Sequence, residues 1–187
     1  MRRLAAIGAV AAAFALVGCS EEKEPSPSIP AARPQAARLD WVERMPEDGP
    51  PLVFGVSALR VTADGWETDV SLENKTGTRF EIPPDVESSD RAFGLMLFAD
   101  GEQSTLDEKA RNGTMPPVRV AWTTTPATPE ILEPGASWRG TISAPGRLQS
   151  GAFVRVSFGP FQSVDEPPKG FPPDQFTWIT DHAYRLR

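Results

Sequence analysis

Asp64-Gly65 interrupts two runs in which apolar and polar residues alternate, and a two-residue hairpin loop asks for this kind of dipeptide. A type I′ turn holds both central residues at positive φ, which Gly adopts freely and Asp tolerates. With Asp64-Gly65 as the loop, Ala63 is expected opposite Trp66, Val61 opposite Thr68 and Leu59 opposite Val70. That pairing puts Leu59, Val61, Trp66, Val70 and Leu72 on one face and Arg60, Glu67, Asp69, Ser71 and Glu73 on the other. One face is core and the other is wet. A helix would scatter the same residues around its circumference, so the segment reads as strand, turn, strand.

The same texture continues along the chain. Strands are expected at 78–82, 93–98, 118–123, 137–143, 152–158 and 175–180. Asn74-Lys75-Thr76-Gly77, Pro116-Pro117, Pro134-Gly135 and Pro145-Gly146 separate them, as does the Pro-rich turn after Ile82. Only 106–112 is patterned for a helical turn. The segment Leu39-Asp40-Trp41-Val42 reads as a stretch pinned across the domain. Short antiparallel strands without helices imply an all-β, two-sheet antiparallel sandwich of about seven to eight strands. The domain is placed at 38–187.

The N-terminus has a different character. Met1-Arg2-Arg3 precedes an apolar run at 4–17, which is short for a bilayer core of ~30 Å at 1.5 Å per residue. A positive start and a short apolar run read as a signal peptide. The run ends in Leu16-Val17-Gly18-Cys19, and in this it resembles the lipobox of bacterial lipoprotein precursors. The resemblance implies diacylglyceryl transfer to the Cys19 sulfur, cleavage that removes 1–18, and acylation of the new amine. The implied localisation is export to a bacterial membrane. That is the outer membrane where the host has one, since Ser20 resembles the outer-membrane class, and otherwise the outer face of the plasma membrane. Two or three acyl chains give durable anchoring, whereas one is marginal. Residues 19–37 then form the lipidated end and a disordered Pro/Ser/Glu-rich tether, too poor in large apolar groups to offset its ordering entropy.

Two further segments carry a resemblance of fold alone. Val70-Ser71-Leu72-Glu73-Asn74-Lys75-Thr76-Gly77 resembles the strand-then-N-x-T-G edge of bacterial immunoglobulin-like modules. Leu132-Glu133-Pro134-Gly135-Ala136-Ser137-Trp138 is similar to their turn into a strand. They imply an immunoglobulin-like sandwich and no activity.

Chemistry is scarce. The chain of 187 residues has one His, one Cys and one Tyr, and its net charge is −6. Arg2 and Arg3 leave with the first 18 residues, which hold no acid, so the mature chain is more acidic still. Such a surface repels phosphate backbones, and no nucleic-acid partner is expected. His182 follows Asp181, yet no G-x-S-x-G elbow exists to supply a nucleophile, so His182 reads as a surface or edge residue and no catalytic residue is assigned. Asp100, Glu102, Asp107 and Glu108, and separately Asp85, Glu87 and Asp90, lie in oxygen-rich loops without calcium-loop spacing. Zinc lacks its usual ligands. No metal or cofactor is expected.

Five Trp and ten Phe are the richer signal. Pro167-Pro168 and Pro172-Pro173 exclude a regular strand through 161–176. Phe161 and Phe171, with Phe176 and Trp178, therefore either cap one end of the sandwich or form an exposed partner-binding patch. The functional expectation is a lipid-anchored, non-enzymatic binding or assembly module whose partner is another envelope or extracellular protein. Two alternatives stand beside it: a protease inhibitor inserting the 100–117 loop with Met115-Pro116-Pro117, and an envelope hydrolase working through His182.

Overall fold

The hairpin forms as a pair of long strands, β2 (Leu52–Val61) and β3 (Gly65–Asn74), but its register differs from the expected one. Val61 faces Trp66 and Leu59 faces Thr68, two residues away from the sequence-based pairing. The loop is longer than Asp64-Gly65: the Thr62 amide donates to the Gly65 carbonyl at 2.9 Å, and the Thr62 hydroxyl sits 3.2 Å from that carbonyl. Side chains alternate with period two, so a shift of two leaves every residue on its expected face. Leu59, Val61, Trp66, Val70 and Leu72 are all buried. Ser57 is a bulge between Val56 and Ala58, and it converts the even-numbered buried series Leu52, Phe54, Val56 into the odd-numbered series Leu59, Val61.

This computed structural model describes residues 30–82 and 93–187. Leu16, Val17, Gly18 and Cys19, most of the tether, and Asp85, Glu87 and Asp90 lie outside the described residues. The chain is an all-β, two-sheet antiparallel sandwich. One sheet runs β1 (Gln35–Met45), β2, β3, β9 (Ser137–Pro145), β7 (Thr123–Thr125). The other runs β6 (Arg119–Val120), β5 (Gly94–Phe98), β10 (Phe153–Ser163), β4 (Phe80–Glu81), β8 (Ile131–Leu132), with β11 (Phe176–Ile179) and β12 (Tyr184–Arg185) also paired to β10. The twelve described strands exceed the expected number because several are only two residues long.

Three boundaries move. β1 begins at Gln35, Ala32 is buried, and Ala31 bridges Gln149, so the ordered domain starts ahead of residue 38 and takes in the end of the segment read as tether. The pinned stretch around Trp41 is the edge strand of the five-stranded sheet. β10 runs past Phe158 through Gly159-Pro160 to Ser163 rather than stopping at 158.

The main core lies between the sheets, where Phe54 stacks on Trp178 with centroids 5.2 Å apart and meets Phe158 and Phe161 at 5.3 and 5.7 Å. The seven-stranded sheet is covered on its other side too. Leu95 and Leu97 face the main core, while Met96 and Phe98 point the opposite way into a small second cluster with Leu106 and Val118. Leu106 belongs to α1 (Gln103–Asn112), which Gly113 terminates with φ 64. The helix thus extends three residues upstream of the expected turn, and it closes a face that a simple sandwich would leave to solvent.

A buried carboxylate clasp and a polar trough

Glu43 points inward from an edge strand, and its side chain is only 5% exposed. A carboxylate so placed needs donors on both oxygens. Oε2 accepts from the Trp178 indole at 2.9 Å and the Asp181 amide at 3.0 Å; Oε1 accepts from the His182 amide at 3.1 Å and lies 2.8 Å from His182 Nδ1. All four donors come from the strand and turn at the C-terminal end, so the clasp ties β1 of one sheet to β11 of the other. Trp41 stacks on the imidazole with centroids 5.6 Å apart.

Arg155 forms a second buried polar hub. It is fully buried on β10, under the start of α1. Its guanidinium donates to the carbonyls of Thr180 at 2.8 Å, Gly101 at 3.0 Å and Glu102 at 3.2 Å, also to the Asp181 carbonyl, and it lies 5.5 Å from the Phe98 ring centroid. Burial pulls the guanidinium pKa below its ordinary range, against the opposing pull of Asp181 and Glu43. Desolvation pushes the Asp181 carboxyl up, and the neighbouring Glu43 charge adds to that; Gln103, donating to Asp181 at 2.9 Å, opposes it.

This arrangement orients an imidazole against a carboxylate, which is half of a nucleophile-activating device. The other half is missing among the described residues: no hydroxyl lies within hydrogen-bonding distance of the His182 ring, and the nearby Thr180 hydroxyl is committed to the His182 carbonyl and the Val156 amide. Arg155 is spent on backbone carbonyls, and Glu43 holds two backbone amides, the Trp178 indole and the imidazole.

The outer face of the five-stranded sheet carries a broad groove lined by small and charged side chains. Val42, Gly55, Ser71 and Arg139 lie in one cross-strand row, and Ala58, Asp69 and Thr141 in another. Gly55 and Ser57 carry so little side chain that a trough of about 520 Å³ opens over them. A Cβ at Gly55 would fall on the Ser71 hydroxyl. Arg60 bridges Glu67 at 2.7 Å and Asp69 at 2.7 and 2.9 Å, and Thr141 donates to Asp69 at 2.8 Å. The Arg60 hydrogen bonds hold the Asp69 carboxyl below its usual range. These groups can hydrogen-bond a partner. No family model, curated protein or solved structure matches the chain.

The aromatic patch expected at Phe161, Phe171, Phe176 and Trp178 resolves in favour of capping. Phe161 and Phe176 are buried, with ring centroids 5.6 Å apart, and Phe171 and Trp178 are partly buried against the same core. The Pro-rich segment folds Phe171 back onto Phe80 and Phe176 at 5.2 and 5.8 Å, which leaves Phe171 and Trp178 only partly open to solvent. The loop offered for protease insertion contains α1 over its first part, and Met115 packs against the second cluster. The two segments compared above with immunoglobulin-like modules meet in space. Buried Asn74 donates to the Thr78 and Leu132 carbonyls at 2.8 and 2.9 Å, and its own carbonyl accepts from the Gly135 amide at 2.7 Å. Among the described residues no cluster of three or more His, Cys, Asp or Glu is arranged to hold a metal, and no helix is long and apolar enough to cross a membrane. Sequence reading missed Glu43 and Arg155; their only trace is a charge placed in otherwise apolar alternation, as in Phe153-Val154-Arg155-Val156.

Proposed function

We propose that this chain is a lipid-anchored, non-enzymatic binding or assembly module of the bacterial cell envelope. The observation that carries the reading is Leu16-Val17-Gly18-Cys19 closing a short apolar run behind Arg2 and Arg3. Two features support it. The one imidazole in the chain is held in a clasp with no nucleophile beside it among the described residues, and the trough on the outer sheet face is broad and shallow enough to receive a partner surface. In this reading Cys19 carries the acyl chains, the residues up to about 30 act as spacer, and the sandwich is displayed at the membrane surface to an envelope or extracellular protein.

The test is metabolic labelling with an alkynyl fatty acid in a bacterial host, followed by mass spectrometry of the mature N-terminus. Label on the wild type, loss of label in Cys19→Ser, and an N-terminus at Cys19 are the expected results. An unlabelled chain that partitions into aqueous buffer overturns the anchor. Turnover of any envelope substrate that vanishes in His182→Ala overturns the non-enzymatic part.

A further inference from the structure

The end of the sandwich where the chain enters has a character unlike the rest of the acidic molecule. Residues 30–35 come in beside the β9–β10 turn and the last residues: the Ala32 amide donates to the Leu148 carbonyl at 2.8 Å, the Ser150 amide to the Pro30 carbonyl at 2.9 Å, and the Arg33 amide to the Arg187 carbonyl at 2.8 Å. This gathers four exposed arginines, Arg33, Arg147, Arg185 and Arg187, around the point of entry. None of the four is ion-paired among the described residues; Arg185 lies 5.8 Å from the Phe153 ring. Four acids lie close to this end, Asp64 at the hairpin tip, Asp100 and Glu102 in the loop past Phe98, and Glu67, which Arg60 already engages, so three without an ion pair stand against the four arginines.

Trp122 belongs to the same end. Gln35, Val61, Trp66 and Ala144 form one cross-strand row, and Trp122, directly ahead of β7, donates its amide to the Ser143 carbonyl at 2.8 Å. Four strand spacings of ~4.8 Å put Trp122 about 19 Å from the entry point. It is 78% exposed, the most exposed large apolar side chain among the described residues. Unpaired arginines and a bare indole at one end are the groups that settle at a lipid interface, the guanidinium on phosphate and the indole at headgroup depth.

We propose that this end docks on the anionic phospholipid headgroups of the leaflet that holds the anchor, with the four arginines on phosphates and Trp122 entering the interfacial zone. The proposal rests on the anchor reading above, because the chain outside the described residues ends at this face and brings it to the bilayer. The domain then stands upright, and the trough on the sheet face lies along its side, open to a partner.

The test uses the membrane-extracted protein reconstituted in vesicles of phosphatidylcholine with or without phosphatidylglycerol. Quenching by brominated lipid is read as the difference between wild type and Trp122→Phe. Expected is quenching in anionic vesicles only, lost at high salt and in the triple variant Arg33→Glu, Arg147→Glu, Arg187→Glu. Quenching indifferent to anionic lipid or salt overturns the proposal, as does binding to a soluble acidic polymer with no lipid dependence, which assigns the arginines to an acidic protein partner. Should the chain prove unacylated, co-sedimentation of the mature chain with anionic vesicles separates the two readings. Binding that falls about fivefold per arginine removed keeps the docking face without the anchor, and no binding removes both.

Discussion

Replacing Glu43 by Ala removes the acceptor of four hydrogen bonds at once, and the loss can be worked out donor by donor. The Trp178 indole and the Asp181 amide lose their only carboxylate partner, and each unsatisfied buried donor costs about 1–3 kcal/mol. The His182 side chain is 56% exposed, so water takes over much of its share. We expect Glu43→Ala to cost about 3–4 kcal/mol, close to the usual cost of breaking a buried charged pair, and to lower Tm by roughly 10 °C for a domain of this size. Glu43→Gln keeps the shape but turns an amide NH₂ toward two of the four donors, and should cost about 2 kcal/mol. His182→Ala loses one contact and the Trp41 stack, and should cost about 1 kcal/mol. Urea denaturation at neutral pH reads the order directly. If His182→Ala is as damaging as Glu43→Ala, or Glu43→Ala costs under about 1 kcal/mol, the carboxylate does not hold the two sheets together as argued.

Other expectations follow from single contacts. Asn74→Ala removes the side-chain donor to the Thr78 and Leu132 carbonyls and the acceptor of the Thr76 amide, leaving the Thr78 carbonyl only the Thr76 hydroxyl, for a cost of about 2–3 kcal/mol by denaturation, and Asn74→Asp should be no better because it turns an oxygen toward both carbonyls. Gly94→Ala drives a Cβ into the Arg119 carbonyl and the Val118 side chain, so thermal unfolding should show a loss of roughly 2–3 kcal/mol, centred on the β5–β6 pair in hydrogen exchange. Asp181→Asn tests the pH dependence. Its carboxyl titrates above the ordinary 3.8 in the folded chain, so the native state binds the proton more tightly than the unfolded one and ionisation opposes folding. The variant should be the more stable protein at neutral pH. Its advantage should fade as pH falls through the raised folded pKa toward 3.8, and an advantage that grows on acidification would contradict the assignment.

The sequence made legible whatever depended on period and punctuation. Leu59, Val61, Trp66, Val70 and Leu72 could be assigned to one face because alternation survives a two-residue error in register. The loop length could not be read, since Thr62 closes the turn through hydrogen bonds that no dipeptide rule contains. β1 was obscured for a different reason. Its inward series Gln35, Ala37, Leu39, Trp41, Glu43, Met45 is weakly apolar, and a bulge at Leu39-Asp40, with Asp40 at φ 52, breaks its pairing with β2. Glu43 and Arg155 were invisible as sites because charge in a strand normally signals solvent, whereas here tertiary donors and acceptors arrive from residues more than twenty positions away. The Phe161 and Phe176 pair was ambiguous until the course of the intervening prolines was known, since the same rings serve equally as cap or patch.

The treatment of the free sheet edge bears on where a partner can bind. β1 is long, pairs only with β2, and exposes Val42 at 62%, which would ordinarily invite strand addition. The bulge at Leu39-Asp40 interrupts the regular run of outward amides, and Arg38 donates to Asp40 at 2.7 Å on the same stretch, setting a charged pair at the point where an incoming strand would begin. Both features discourage pairing by the backbone. Residues 44–45 are then followed by Pro46 and Pro50-Pro51, which cannot donate to a ladder at all. On the proposed function, recognition is thereby left to side chains: the Arg60–Asp69–Thr141 network and Arg139 around the trough, and the arginines and Trp122 at the entry end. Filling the trough with Ser71→Trp should weaken capture of an envelope partner while leaving vesicle docking intact, and charge reversal at Arg147 should do the opposite. A single variant that abolishes both would mean the two surfaces act as one.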